Sequence, residues 1–218
     1  MKIQEYLKLI DSRAPGRVSE DIKISGLKLT TYPDVWNPKK GKSTKMFIGL
    51  LKKYDIKKTE KVLDLGTGCG VLALLIWKKK VKNILAADIS SGSILNAELN
   101  FKLFAAQIKT KQSDLFSNIK GKFDLILFNA PATHPKRVNS KVGRWSLWGD
   151  NEALLKSFVG NLSSHLNRRG RALVMCSRFT DFDPLPEPFL QKAGLSYKYL
   201  KKKKGEFSTT TIIELSFI

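Results

Sequence analysis

The chain has 218 residues, 42% of them hydrophobic, and 39 basic against 19 acidic residues give a formal net charge of +20. That length suits one globular domain with a substantial core, and no apolar run approaches the ~20 residues that a membrane-spanning helix needs. Two cysteines, Cys69 and Cys176, form neither a disulfide framework nor a metal-ligand cluster, so the expectation is a reducing cytoplasm with no metal and no membrane partner.

Met1 to Ile10 is amphipathic and carries Glu5, unlike a signal peptide, and residues 2–12 read as a short helix. Ile22 to Leu29 alternates around Gly26 as a small hairpin does. Ser43 or Thr44 is placed to cap a helix reaching about Tyr54. Residues 1–45 are therefore expected to form a short N-terminal helix and hairpin extension, and 46–218 the main domain. Strands are predicted at 61–65, 83–88, 107–112, 123–128 and 171–176, with helices near 70–80, 91–104 and 151–167. Apolar strands alternating with helices imply an α/β fold, a mainly parallel sheet with helices on both faces. A helix near 186–193 precedes two further strands, Leu195–Leu200 and Thr209–Ile218, which read as a C-terminal antiparallel hairpin around the polar loop Lys201–Gly205.

The stretch Val62-Leu63-Asp64-Leu65-Gly66-Thr67-Gly68-Cys69-Gly70 runs from an apolar strand into a loop with glycine at every second position. Glycine there lets the chain turn tightly and lets a ligand lie against the main chain. The loop lacks the GxGxxG dinucleotide spacing and the Lys-Ser/Thr of a phosphate-binding P-loop. It resembles motif I of the class I S-adenosylmethionine (SAM) methyltransferases, D-x-G-x-G-x-G. Over roughly residues 35–218 the element order is also similar to their seven-stranded Rossmann-like sheet.

The resemblance implies a SAM site with S-adenosylhomocysteine as product. Asp64, Gly66, Thr67, Gly68 and Gly70 would run past the ribose and methionine parts, with Asp64 accepting from the ammonium. Asp88, which ends Ala86-Ala87-Asp88-Ile89, would hold the ribose hydroxyls, since a carboxylate accepts two such bonds. Its ordinary reading is a cap for the next helix, a task that Ser90 or Ser91 also suits. Asp114 in Gln112-Ser113-Asp114-Leu115-Phe116 would accept from the adenine amino group, with Leu115 and Ile89 as apolar neighbours.

Asn129-Ala130-Pro131-Ala132 follows the fourth strand and resembles motif IV of the amino-methyltransferases, N/D/S-P-P-Y/F/W. An amide or exocyclic amine is a poor nucleophile because its lone pair is delocalised. The Asn129 carbonyl and the backbone carbonyl at Ala130 can accept its N–H bonds and orient the nitrogen, while Pro131 stiffens the turn. Ala132 stands where the family places an aromatic ring that stacks on the target. Trp145 and Trp148 in the next loop could supply another ring or pack in the core, and His134 could contact substrate or be structural. Thr31-Tyr32-Pro33-Asp34-Val35-Trp36-Asn37-Pro38 with Ser43-Thr44, and Trp148-Gly149-Asp150-Asn151-Glu152, extend the likeness to the "small methyltransferase" group. That group includes release-factor glutamine, ribosomal RNA guanine-N2 and transfer RNA adenine-N6 methyltransferases.

The expected activity is SAM-dependent N-methylation of an amide or amino nitrogen, with ribosomal or transfer RNA as partner. Basic clusters at Lys39–Lys45, Lys52–Lys61, Lys78–Lys82 and Lys201–Lys204 would attract phosphate backbones. The predominance of lysine over arginine equally fits a Lys-rich composition spread over solvated faces. The missing ring at Ala132 favours the alternative, a protein side chain or a small biosynthetic molecule. A non-catalytic RNA-binding subunit would have no need of Asp64, Asp88 and Asp114 together.

Overall fold

The computed structural model describes residues 19–131, 151–179, 185, 187–205 and 208–218. The helix expected over 2–12 lies outside them. β1 (Glu20–Ile24) and β2 (Leu27–Thr31) pair antiparallel from Glu20↔Thr31 to Ile24↔Leu27. Ser25 and Gly26 between them both have positive φ, 54° and 76°, the twist that a two-residue hairpin turn requires.

α1 (Lys42–Leu51) follows. Its N-cap is Gly41, with no side-chain cap, so neither Ser43 nor Thr44 plays the capping part expected of them. Thr44 is instead 3% exposed and turned into the protein. The helix also stops before Tyr54. The link from α1 to the next strand is held by Arg171, whose guanidinium donates to Glu60 Oε2 at 3.0 Å and to the Tyr54 hydroxyl and the Asp55 carbonyl, both at 3.0 Å. Tyr54 donates in turn to Glu214, and burial with that carboxylate neighbour pushes its phenol up to about 12.

β3 (Lys61–Leu65), α2 (Val71–Lys78), β4 (Asn83–Asp88), α3 (Ser91–Leu103), β5 (Lys109–Gln112) and β6 (Phe123–Asn129) alternate as the sequence predicts. Then come α4 (Asn151–His165), β7 (Leu166–Phe179), α5 (Glu187–Lys192), β8 (Leu195–Lys204) and β9 (Ser208–Phe217). The seven-stranded sheet has the order β5-β4-β3-β6-β7-β9-β8; β9 runs antiparallel to both β7 and β8, and the other neighbouring strands pair parallel. Side chains alternate between two cores. Val62, Leu125 and Leu127 join residues of α1, α2 and α3 on one face. Leu63, Leu65, Ile126 and Phe128 join Leu155, Phe158 and Leu190 from α4 and α5 on the other. The hairpin residues Ile22, Ile24, Leu27 and Leu29 are buried in the first of these cores.

Two strands run well past their expected bounds. β7 spans Leu166–Phe179 rather than 171–176: Leu166 pairs with Phe123, and Asn167-Arg168-Arg169-Gly170, which reads as a polar turn, forms the irregularity between that pair and Leu125↔Arg171. β8 runs on through Lys201–Lys204, which the sequence presents as a loop. Lysine is tolerated there because β8 is the edge strand of the sheet, where charged side chains stay in water.

Candidate active site

β3 has β4 on one side and β6 on the other, so the chain reverses its direction of winding there. In open α/β sheets the crevice beyond the carboxyl ends of such strands receives ligands. Four loops meet at this edge, those after β3, β4, β5 and β6.

The first loop is closed from within by Asp64. Its Oδ2 accepts from the Thr67 hydroxyl at 2.7 Å and from the Ala73 amide at 3.1 Å, tying the turn to the first turn of α2. Asp64 is 1% exposed. Burial raises its carboxyl to about 7, against the pull of the Thr67 and Ala73 bonds, and the nearby Asp88 charge adds to the rise. Gly66, Gly68 and Gly70 all have positive φ, the backbone conformation that glycine adopts at no steric cost. Gly70 is doubly constrained: φ is 82°, and a Cβ there would stand 2.5 Å from Phe101 Cε1. Cys69 is buried, which pushes its thiol up to about 12 and makes it a packing residue.

Asp88 ends β4 and bridges two backbones. Oδ2 accepts from the Gly68 amide at 2.9 Å and Oδ1 from the Ser90 amide at 3.0 Å. Burial raises its carboxyl, opposed by those amide bonds. Ser90, not Asp88, caps α3, accepting from the Ser93 amide at 3.3 Å. The next residue, Ile89, is 37% exposed, an apolar side chain left at the mouth of the crevice. Gln112 Nε2 donates to the Ile89 carbonyl at 3.0 Å and draws the loop after β5 against it. In that loop Asp114 is exposed, and Leu115 has φ 43° and packs against the second core. The Ser113 hydroxyl donates to the Leu115 carbonyl at 2.8 Å and accepts from the Asn118 amide, which holds Leu115 in this left-handed conformation.

Asn129 is the last residue of β6 and continues the row of Leu125 and Leu127 that faces α1. Its Nδ2 donates to Thr44 Oγ1 at 3.2 Å. Its Oδ1 is buried and, among the described residues, has no hydrogen-bond partner. A buried carbonyl left unpaired costs stability, and here it is an acceptor to which no described residue donates. Ala130 is 1% exposed and Pro131 half-buried beside it. Ala132, His134, Trp145 and Trp148 lie outside the described residues. Among the described residues no group of His, Cys, Asp and Glu could hold a metal ion.

The structure adds contributors that local reading of the sequence missed. Thr44 looked like a cap and is instead the partner of Asn129. Asn96 and Asn100, both fully buried on α3, donate to the Thr30 carbonyl at 2.8 and 2.9 Å. Asn96 accepts from the Tyr32 amide, Asn100 accepts from the Thr30 amide, and Asn100 also donates to the Cys69 carbonyl at 2.9 Å. They fasten the end of β2 to the glycine loop, and Val35, 2% exposed, packs beside Gly68. A helical Asn pair spaced i, i+4 gives no sequence signal of this kind, because it reads as a solvated face.

The Methyltransferase small domain family matches residues 26–207. A Methanocaldococcus jannaschii protein provisionally named as a protein N5-glutamine methyltransferase is 32% identical over 164 residues, which cover 73% of this chain and 80% of that protein. A ribosomal protein L11 methyltransferase of Thermotoga neapolitana is 34% identical over 102 residues, 47% of this chain but only 38% of that protein. Among solved structures, the T. thermophilus 16S rRNA N2 G1207 methyltransferase in complex with AdoMet and guanosine superposes with a TM-score of 0.65. At 19% identity over 92% of this chain and 50% of that one, the likeness shows the fold. With the family spanning the glycine loop, both acid-ended strands and Asn129, the chain belongs to the Methyltransferase small domain family and is a SAM-dependent methyltransferase.

Proposed function

We propose that the chain methylates an amide or amino nitrogen held by Asn129. The observation that carries this reading is the Asn129 carboxamide. Thr44 fixes its nitrogen, which leaves the buried Oδ1 without a partner among the described residues at the carboxyl end of β6. A carbonyl in that state suits a substrate N–H. A second N–H would donate to the Ala130 backbone carbonyl, and Pro131 holds that turn rigid. Two such bonds aim the nitrogen lone pair and polarise it, so positioning and electrostatics carry the catalysis.

The crevice residues fit SAM. Asp88 takes the ribose hydroxyls on the lone pairs its amide bonds leave free. Ile89 and Leu115 flank the adenine, and Asp114 accepts from its amino group. Gly66, Thr67, Gly68 and Gly70 lie along the ribose and methionine parts, and Asp64 receives the ammonium. SAM, when bound, supplies a methyl group on a sulfonium, which leaves as a neutral thioether with the electron pair of the broken bond. The methylated nitrogen then gives up one proton to water, because the neutral Asn129 has no capacity for it.

RNA is the substrate class favoured by the net charge of +20. The second reading, the amide of a protein glutamine or a small-molecule nitrogen, draws on the name of the M. jannaschii relative and on Ala132 in place of a stacking ring. A cytoplasmic setting is supported by two buried cysteines that form no disulfide. The test is isothermal titration with SAM, then tritiated methyl transfer to total RNA, total protein and small molecules of the host. Label in an amide or amino nitrogen supports the proposal. Label on oxygen, sulfur or carbon overturns it.

A further inference from the structure

We infer that the exposed lysines of α1 and of the edge strand β8 form a track for the phosphate backbone of RNA leading to Asn129. The inference rests on the reading above for the point at which the track ends.

The register of the sheet places it. Asn129 pairs with Met175, Met175 with Ile212, and Ile212 with Lys201. Lys201 therefore stands in the same row as Asn129, three strands away, or about 14 Å at ordinary strand spacing. Strand alternation puts Lys203 on the same face, about 7 Å further beyond that row. This is the face that carries α1, because the Lys201 ammonium lies over Gly49: a Cβ added there would be 3.5 Å from Nζ.

The facing helix is built in the same sense. Lys42, Lys45 and Gly49 share one stripe of α1 by their i, i+3, i+7 spacing, the C-cap Lys52 continues it at i+10, and all three lysines are exposed. Gly49 is the notch in that stripe, and Lys201 rests in it. Neither α1 nor β8 contains an aspartate or glutamate. Lys42 and Lys45 occupy the first turn of α1, where the helix dipole favours acids, so their charge works against the helix. Among the described residues, the two ion pairs are Lys40–Glu20 and Arg171–Glu60, and neither involves a lysine of this track. Glu214 on β9 shares the face of Lys201 but accepts from the Tyr54 hydroxyl. The upper end of α1 carries Thr44, whose hydroxyl holds Asn129. Two rows of cations converging on the acceptor of the target nitrogen suit a polyanion whose reacting group sits at one end.

The test compares two variants of equal charge. One replaces Lys42, Lys45, Lys201 and Lys203 with Gln. The other replaces Lys82, Lys102, Lys109 and Lys111 at the opposite edge of the sheet. Binding of a fluorescein-labelled oligouridylate is measured against salt concentration. Each phosphate contact on a single strand contributes about 0.7 to the slope of log affinity against log salt, so the variant in α1 and β8 should flatten the slope by roughly 2 to 3. The far-edge variant should keep at least three-quarters of the native slope. Equal slopes in the two variants overturn the track. Competition by poly-glutamate at equal ionic strength, as effective as unlabelled oligouridylate, also overturns it and identifies an acidic polypeptide as the occupant. Titration with SAM is run on all three proteins. Absence of SAM binding by the native chain refutes the cofactor-site assignment, while the slope comparison still decides the track.

Discussion

The Asp64 carboxyl offers the sharpest test of the cofactor site, because burial raises it to about 7. If Asp64 receives the ammonium of SAM, binding requires its ionised form. Below about pH 7 the carboxyl is protonated in the free protein, and binding must first expel that proton. Affinity should then rise by up to tenfold per pH unit between about pH 5 and 7, which is linkage with one proton released. Above about 8 the α-amino group of the ligand itself loses its charge, so affinity should fall again. The expected profile is a bell with its crest between about pH 7 and 8. Isothermal titration at half-unit steps, repeated in two buffers of different ionisation heat, measures affinity and proton release together. Asp64→Asn should remove the acid limb and weaken binding at the crest by about tenfold or more, the scale of a lost charge-assisted bond. The same carboxyl has a stability signature of definite sign. Its folded pKa lies above the unfolded value of 3.8, so native protein is favoured at low pH and loses that advantage as pH rises from about 4 to about 7. The Asp64→Asn protein should therefore become more stable relative to the native chain across that window. Equal SAM affinity at pH 5.5 and 7.5, with no proton released, would refute the role given to Asp64.

Asp88→Ala removes the acceptor for the Gly68 and Ser90 amides together with the carboxylate proposed to hold the ribose, and SAM binding should vanish in calorimetry while the fold persists by circular dichroism. Asn129→Ala should leave SAM affinity unchanged yet lower turnover by about 10²-fold or more, as loss of a transition-state hydrogen bond does; unchanged turnover removes Asn129 from the mechanism. Thr44→Val keeps shape and loses one neutral hydrogen bond worth about 0.5–1.5 kcal/mol, so turnover should fall about 2- to 10-fold with SAM affinity intact, and Thr44→Ser should restore it. Gly70→Ala forces a left-handed residue at about 1–2 kcal/mol and a collision with Phe101 at about 1–3 kcal/mol, and should lower the melting temperature by at least several degrees.

The parts of the site that were legible in the sequence are those where a local conformation demands a residue type. Positive φ at Gly66, Gly68 and Gly70 is written as alternating glycine. The apolar strands β3, β4 and β6 end in Asp64-Leu65, Asp88 and Asn129, so periodicity located the edge on which the acids stand. The contacts that were not legible join residues remote in sequence. Asn129 meets Thr44 at a separation of 85 residues, and Asn100 meets Thr30 at 70. Thr44 carried a competing local meaning as a helix cap, and nothing nearby signalled that Gly41 would take that place. Lys201–Lys204 likewise has the composition of a loop. Only its pairing with Thr209 to Ile212 reveals a strand.

Those remote contacts explain how a site made from strand ends can also use the chain that precedes them. α1 comes before β3, so Thr44 reaches Asn129 only if the stretch from β2 onward is held against the sheet. Asn96 and Asn100 do this with side chains that make bonds to Thr30, Tyr32 and Cys69 inside the core, where each lost partner would cost about 1–3 kcal/mol. Because Asn100 bonds both the Thr30 backbone and the Cys69 carbonyl, the hairpin and the glycine loop share one anchor. Arg171 sets the other end by binding the chain between α1 and β3 at Tyr54, Asp55 and Glu60. α1 is thus pinned at both ends, and the rigidity that aims the Asn129 carboxamide comes from residues that touch neither cofactor nor substrate. A substitution at Asn100 should accordingly loosen the Gly66–Gly70 loop and displace Thr44 together, which couples cofactor affinity to turnover in a way that no change at Asn129 can reproduce.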